Sequence, residues 1–199
     1  MNEKFQLIVA GVGGQGSVLI SHIIASAAIM DGFNVRVGEK FGAAMRGGAV
    51  SSHIRIFRGE IAPVIPIGEA DAVMALEPLE GLRATSRYLK KDGILVTNSK
   101  PLYPVDVNVG RAKYPDLEES FQKLRDSGVK VYVLDGVSLA IKAGTSKALN
   151  SVMLGALTST GILPISKESL IKALVEMVPK GTEEVNKRAF ELGCKSLVV

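Results

Sequence analysis

Cysteine, tryptophan and histidine are scarce in this 199-residue chain, which has one Cys, no Trp and two His. A single thiol, Cys194, cannot close an intrachain disulfide, and it cannot hold an iron–sulfur cluster, which takes about four cysteines. No His or Cys stands at ligand spacing from it, which also excludes a thiolate zinc site. A run of charge of one sign is missing as well. The 24 basic and 20 acidic residues are interspersed and leave a net charge of only +4, so no nucleic-acid footprint is indicated. No window reaches the roughly 18 uncharged apolar residues of a membrane span. Residues Met1 to Gln6 lead into an apolar strand without the charged-then-apolar layout of a signal segment, so the expected compartment is the cytoplasm. Enzyme signatures are missing too. There is no Ser or Cys nucleophile elbow, no His-x-x-x-His and no Walker lysine after the glycines. The pairs Asp92-Gly93 and Asp135-Gly136 lack the preceding glycine of a thiamine-diphosphate motif. The chain shows no self-sufficient active site.

An apolar fraction of 47%, spread evenly, fits one domain over residues 1–199. Folding at this length hides roughly 70% of the unfolded chain's surface, enough to need no staples. Strand-length apolar runs alternate with stretches of helical period, which is the pattern of helices packed on both faces of a sheet. The expected fold is α/β, a three-layer α/β/α sandwich with a mostly parallel, mixed sheet and a Rossmann-like first half. Strands are predicted at Phe5–Ala10, Asn34–Glu39, Ala49–Phe57, Asp71–Leu76, Gly93–Thr97 and Val129–Leu134. The alternation of Val105, Val107 and Val109 with Asp106 and Asn108 predicts a further edge or surface strand. Helices are predicted at Ser17–Asp31, Pro78–Leu89, Asp116–Ser127, Lys147–Thr160, Lys167–Met177 and Glu183–Leu192. Gly32, Gly128, Gly161 and Gly193 stand at their ends, and Ser166 and Thr182 at N-caps. The helix around Asn150 to Leu157 is apolar on most of its circumference, so it lies either at the centre of the fold or against another chain.

The sequence from Gly11 to Gly16, Gly-Val-Gly-Gly-Gln-Gly, ends an apolar strand and opens an apolar helix. In that context glycines allow a tight turn and the close approach of a phosphate, and the free N–H groups of the helix N-terminus favour an anion. The candidate binding residues are Gly11, Gly13, Gly14, Gln15 and Gly16. Glu39 closes the second strand about 20 residues later, where the ribose-binding acid of a dinucleotide site would stand. A glycine-rich turn that only packs under the sheet is the alternative.

The loop from Lys40 to Gly48 places one cation, Arg46, between small residues. At the C-terminal end of the second strand it should overhang the first turn. Arg46, Gly47 and Gly48 are therefore further candidates for the same anion, the guanidinium as a planar donor fork and the glycines as room for backbone approach. A flexible loop with a solvated arginine is the other reading. In the strand that follows, Ser51, His53, Arg55 and Phe57 share one face by the two-residue period. That places His53 on a polar face, where a surface or hydrogen-bonded histidine is a simpler reading than a catalytic base.

Taken together, these segments resemble the gamma-type subunits of 2-oxoacid:ferredoxin oxidoreductases, and most of all the small subunit of the indolepyruvate branch. The likeness rests on Gly11 to Gly16; on Arg46-Gly47-Gly48 with Ser52-His53-Ile54-Arg55; and on Ala75-Leu76-Glu77-Pro78. It continues in Asn150 with Leu154-Gly155-Ala156-Leu157, and in Glu184-Val185-Asn186 with Ala189-Phe190. The resemblance implies an accessory subunit of an oxygen-sensitive enzyme that decarboxylates a 2-oxoacid, reduces ferredoxin and makes an acyl-CoA. It implies that thiamine diphosphate, magnesium and iron–sulfur clusters sit on a larger partner subunit, and that Gly11 to Gly16 and Arg46 contact phosphates of coenzyme A. Indolepyruvate or another arylpyruvate is the expected substrate, with pyruvate, 2-oxoisovalerate and 2-oxoglutarate as alternatives. A stand-alone NAD(P)-dependent enzyme, a scaffold without ligand, and a homodimer of the isolated chain remain open.

Overall fold

The computed structural model describes residues 4–42, 47–59, 62–103 and 105–197. The chain runs β1 (Lys4–Val12), α1 (Ser17–Met30), β2 (Asn34–Phe41), β3 (Ala49–Phe57), β4 (Ala70–Ala75), α2 (Pro78–Tyr88) and β5 (Leu89–Asn98). It continues through α3 (Val105–Asn108), α4 (Leu117–Asp126), β6 (Lys130–Leu134), α5 (Gly136–Ala143), a 3-10 turn (Ser146–Ala148), α6 (Leu149–Ser159), α7 (Lys167–Met177) and α8 (Glu183–Ser196). The strands form one six-stranded sheet in the order β2-β3-β1-β4-β5-β6. From β1 to β6 neighbours are parallel, and β3 runs antiparallel to both β1 and β2.

Alternation along β1 builds the two faces. Leu7 and Val9 join the core under α1 and the α5–α8 cluster, while Ile8 and Ala10 face α2 and Phe121 of α4. The predicted three-layer mixed sandwich is therefore present. The Rossmann-like first half carries one departure. β3 is inserted between β1 and β2, so β2 lies two strand spacings from β1, about 10 Å, where an ordinary dinucleotide fold has one.

Three further expectations need correction. Val105 to Val109 is no strand: residues Val105–Asn108 form the short helix α3, closed by Gly110 N–H donating to the Val107 carbonyl at 3.1 Å and by Asn108 Nδ2 donating to the Tyr103 carbonyl at 3.2 Å. Five alternating residues do not separate a strand from one helical turn when local bonds can close that turn. Gly193 does not end its helix. It lies inside α8, where a Cβ would sit 1.9 Å from the Val152 carbonyl oxygen, so this glycine is there for close helix contact. Gly32, Gly128 and Gly161 do take the left-handed conformation at helix ends, with φ of 81°, 94° and 71°. Finally, α5 was not foreseen. Asp135 caps it by accepting from the Ser138 N–H at 3.0 Å, and only eight residues separate that cap from Gly144. Helix α6 proves central, with every residue from Leu149 to Leu157 buried, chiefly against α8, α5 and the sheet.

Candidate functional site

The glycine turn joins β1 to α1 at the C-terminal edge of the parallel strands. Gly14 and Gly16 have φ of 103° and 83°, and Gly16 is the N-cap of α1 with no side-chain cap. A Cβ on Gly16 would also meet Asn150 Nδ2 at 2.6 Å. Some turn amides are engaged within the protein. Gly13 N–H donates to the Gly48 carbonyl at 2.9 Å, and Gln15 N–H donates to the Val12 carbonyl at 3.1 Å. Among the described residues the amides of Gly14 and Gly16 donate to no protein acceptor, and those of Ser17, Val18 and Leu19 stand in the first turn of α1, where a helix provides none. The result is a set of free donors at the positive end of a helix, an arrangement that suits an anion.

Gln15 has a different role from its glycine neighbours. Its Oε1 accepts from the Val12 N–H at 2.8 Å and its Nε2 donates to the Leu76 carbonyl at 3.3 Å, so the side chain fastens the turn to the end of β4. Gly11 makes room for it, since a Cβ there would lie 2.9 Å from Gln15 Oε1. The Leu76 carbonyl also accepts from Asn98 Nδ2 at 3.2 Å, and Asn98 Oδ1 receives the Gly136 N–H at 3.1 Å. On the other side Asn150 Nδ2 reaches the Gly16 carbonyl at 3.4 Å. From there Ser151 Oγ donates to Asn186 Oδ1 at 2.7 Å, and Asn186 Nδ2 donates to the Thr182 carbonyl at 2.9 Å. The turn is thus braced by a network that draws in side chains from three distant parts of the chain, Asn98 of β5, Asn150 and Ser151 of α6, and Asn186 of α8.

A cavity of about 760 Å3 opens beside the turn, lined by Gly14, Gln15 and Gly16 on one wall and by Thr145, Ser146, Lys147 and Asn150 on the other. The Thr145–Lys147 wall was not singled out in the sequence. Its signal was the short polar run after Gly144, hidden by the unrecognised α5. The expected overhang of the second loop is present for Gly47 and Gly48, the first through Gly47 N–H donating to the Gly13 carbonyl at 3.4 Å. Arg46 lies outside the described residues.

Two other sequence candidates sit elsewhere. Glu39 is beside His22 of α1, with Oε1 at 3.4 Å from Nε2, and on a strand separated from β1 by β3 it is too far out for the ribose role. His53 is fully buried on the α2 face. Its Nδ1 accepts from the Ile65 N–H at 3.2 Å, and its ring packs edge-on against Tyr88 at 4.9 Å. Burial, then the positive charges of Lys40 and Arg55, push its pKa down to about 4. His53 is a neutral, hydrogen-bonded core histidine.

The fold and this site define an α/β domain with a glycine-rich strand-to-helix turn at the positive end of α1, the turn braced by side chains from the far half of the chain. Comparison with known proteins makes the assignment specific. Residues 6–196 match the family described as pyruvate ferredoxin/flavodoxin oxidoreductase, and the chain belongs to that family. It is 38% identical to the indolepyruvate oxidoreductase subunit IorB of Thermococcus kodakarensis over 195 residues, covering 98% of this chain and 96% of the relative. It is 30% identical to the common gamma subunit of the pyruvate/ketoisovalerate oxidoreductases of Pyrococcus furiosus, covering 90% and 89%. Among solved structures, pyruvate oxidoreductase subunit PORC of Thermotoga maritima superposes with a TM-score of 0.73 at 26% identity, covering 98% of this chain and 97% of that one.

Proposed function

We propose that the chain is the accessory subunit of a hetero-oligomeric 2-oxoacid:ferredoxin oxidoreductase, and that its glycine turn receives phosphate groups of the substrate coenzyme A. The observation that carries the reading is the pair of amides at Gly14 and Gly16 that donate to no acceptor among the described residues, lining one cavity with the Lys147 wall. In the overall reaction a 2-oxoacid anion and coenzyme A give an acyl-CoA, carbon dioxide and one proton, the proton coming from the coenzyme A thiol, and two oxidised ferredoxins each take one electron. Thiamine diphosphate with its magnesium, and the iron–sulfur clusters, belong on a larger partner subunit. One cysteine here cannot supply the roughly four thiolates of a cluster. The names and whole-length likeness of the relatives support the subunit role, and the higher identity to the indolepyruvate protein favours an arylpyruvate as the 2-oxoacid.

This chain's part is to hold and orient. The turn amides and the dipole of α1 fix phosphate oxygens, Lys147 adds a mobile cation, and Arg46 would add a planar one. In the anaerobically assembled enzyme, Lys147→Met and Arg46→Ala should each raise KM for coenzyme A about tenfold, the size of one charge-assisted hydrogen bond. KM for the 2-oxoacid should hold. Unchanged coenzyme A dependence in both variants would remove the phosphate role from this turn.

A further inference from the structure

A second cavity, of about 220 Å3, lies on the α2 side of the sheet, behind the strand ends that carry the glycine turn. Three cations line it: Lys40 at the end of β2, and Arg83 and Arg87 one turn apart on α2. One carboxylate answers them, since Glu80 Oε1 accepts from Arg83 Nη1 at 2.5 Å. Among the described residues no carboxylate lies within 4 Å of Lys40 or Arg87. Both turn instead to one phenol. Lys40 Nζ donates to Tyr88 Oη at 2.9 Å, and the Arg87 guanidinium carbon stands 5.5 Å from the Tyr88 ring centre. The positive charge is felt inside the protein as well, where Lys40 contributes to holding His53 neutral.

Apart from Ser51 and the Tyr88 hydroxyl, the rest of the lining is apolar or glycine. Ala10, Val50 and Ala84 form a buried floor, and Phe41 stands at the rim with 61% of its surface exposed. Three cations against one carboxylate among the described residues, next to an uncovered aromatic ring, are the complement of an anion with an apolar body. The volume is below the roughly 300 Å3 at which cofactor-sized pockets begin, which excludes a nucleotide. We propose that this cavity binds a small carboxylate carrying a compact aromatic or branched apolar group. Arg87 and Lys40 hold the carboxylate, and Phe41 covers the body. The site is distinct from the glycine turn, although Phe41 and Val50 also line the cavity on the α1 side of the β2–β3 hairpin.

The test is titration of the 15N-labelled full chain with phenylacetate, followed by amide shifts. Saturable shifts at Val50, Ser51, Ala84 and Tyr88, with Gly14 and Gly16 unmoved, are expected. Neutral 2-phenylethanol and inorganic phosphate should each bind at least tenfold more weakly. Lys40→Gln and Arg87→Gln change exposed side chains and should leave the spectrum of the free protein otherwise intact, while weakening phenylacetate about tenfold each. Shifts absent from these four residues, equal binding of either control, or full affinity in both variants would overturn the assignment.

Discussion

The contact between α6 and α8 allows a test in which helix propensity and packing predict opposite signs. A mid-helix Gly→Ala change ordinarily stabilises by about 1 kcal/mol. At Gly193, however, the new Cβ would sit 1.9 Å from the Val152 carbonyl oxygen, and at the facing Gly155 it would sit 2.0 Å from the Phe190 carbonyl oxygen. No real Cβ approaches backbone closer than about 3 Å, so α6 and α8 must separate by at least about 1 Å. They are lined there by Val152, Ala156, Ala189 and Phe190, all with no exposed surface. A gap of about 0.5–1 Å forfeits roughly a quarter to a half of the dispersion well of each facing atom pair. With overpacking typically costing about 1–3 kcal/mol and the helix gain offsetting about 1 kcal/mol of that, Gly193→Ala should lose about 2 kcal/mol net, lowering Tm by roughly 6 °C for a chain of this size. Urea and thermal unfolding followed by circular dichroism measure both. Gly161→Ala is the control: its φ is 71° with nothing within 4 Å of the new Cβ, so only backbone strain of about 1 kcal/mol applies. A Gly193→Ala protein as stable as the parent would refute the packing argument.

His53 should make the protein acid-sensitive. Its folded pKa of about 4 lies below the ordinary 6.5, so the unfolded state binds more protons between these values and stability falls as pH drops through that window. The contribution is complete above about pH 6.5 and amounts to about 3 kcal/mol. His53→Gln should flatten the pH dependence of the urea midpoint between pH 4 and 6.5, and an unchanged slope would contradict this. Asn98→Leu should cost about 2–4 kcal/mol by leaving the Leu76 carbonyl and the Gly136 N–H with one partner fewer in the core, read in the same unfolding assay. Asp31 ties the end of α1 to the start of α7 by accepting from Ser166 N–H and Oγ and from Ser169 Oγ, so Asp31→Ala should cost about 1 kcal/mol and expose α7 amides to faster hydrogen exchange.

What was legible in the sequence followed from local chemistry. Six strands could be placed because each is a short run of β-branched and apolar residues bounded by turn residues, and the glycine turn announced itself by its position between strand and helix. The order of the strands was not legible. Nothing local distinguishes β3 as an antiparallel insertion between β1 and β2, since the pairing of Leu7 with Ile54 joins residues 47 positions apart. The bracing of the site was hidden for the same reason. Asn150 and Asn186 could be singled out as part of a resemblance, but their bonds to Gly16 and Ser151 exist only once α1, α6 and α8 are packed. Gly193 misled because an identical residue ends helices elsewhere in the chain, and its purpose lies in the helix opposite.

The central claim, that this chain works as one subunit of a larger redox enzyme, is tested most directly by anaerobic affinity purification of the tagged chain from its native cells. The eluate is then assayed for coenzyme A-dependent reduction of ferredoxin with indolepyruvate, pyruvate and 2-oxoglutarate. The account predicts that a larger subunit bearing thiamine diphosphate and iron co-elutes with activity that is highest on indolepyruvate. A chain that elutes alone, carries no activity and binds NAD(P) would contradict it.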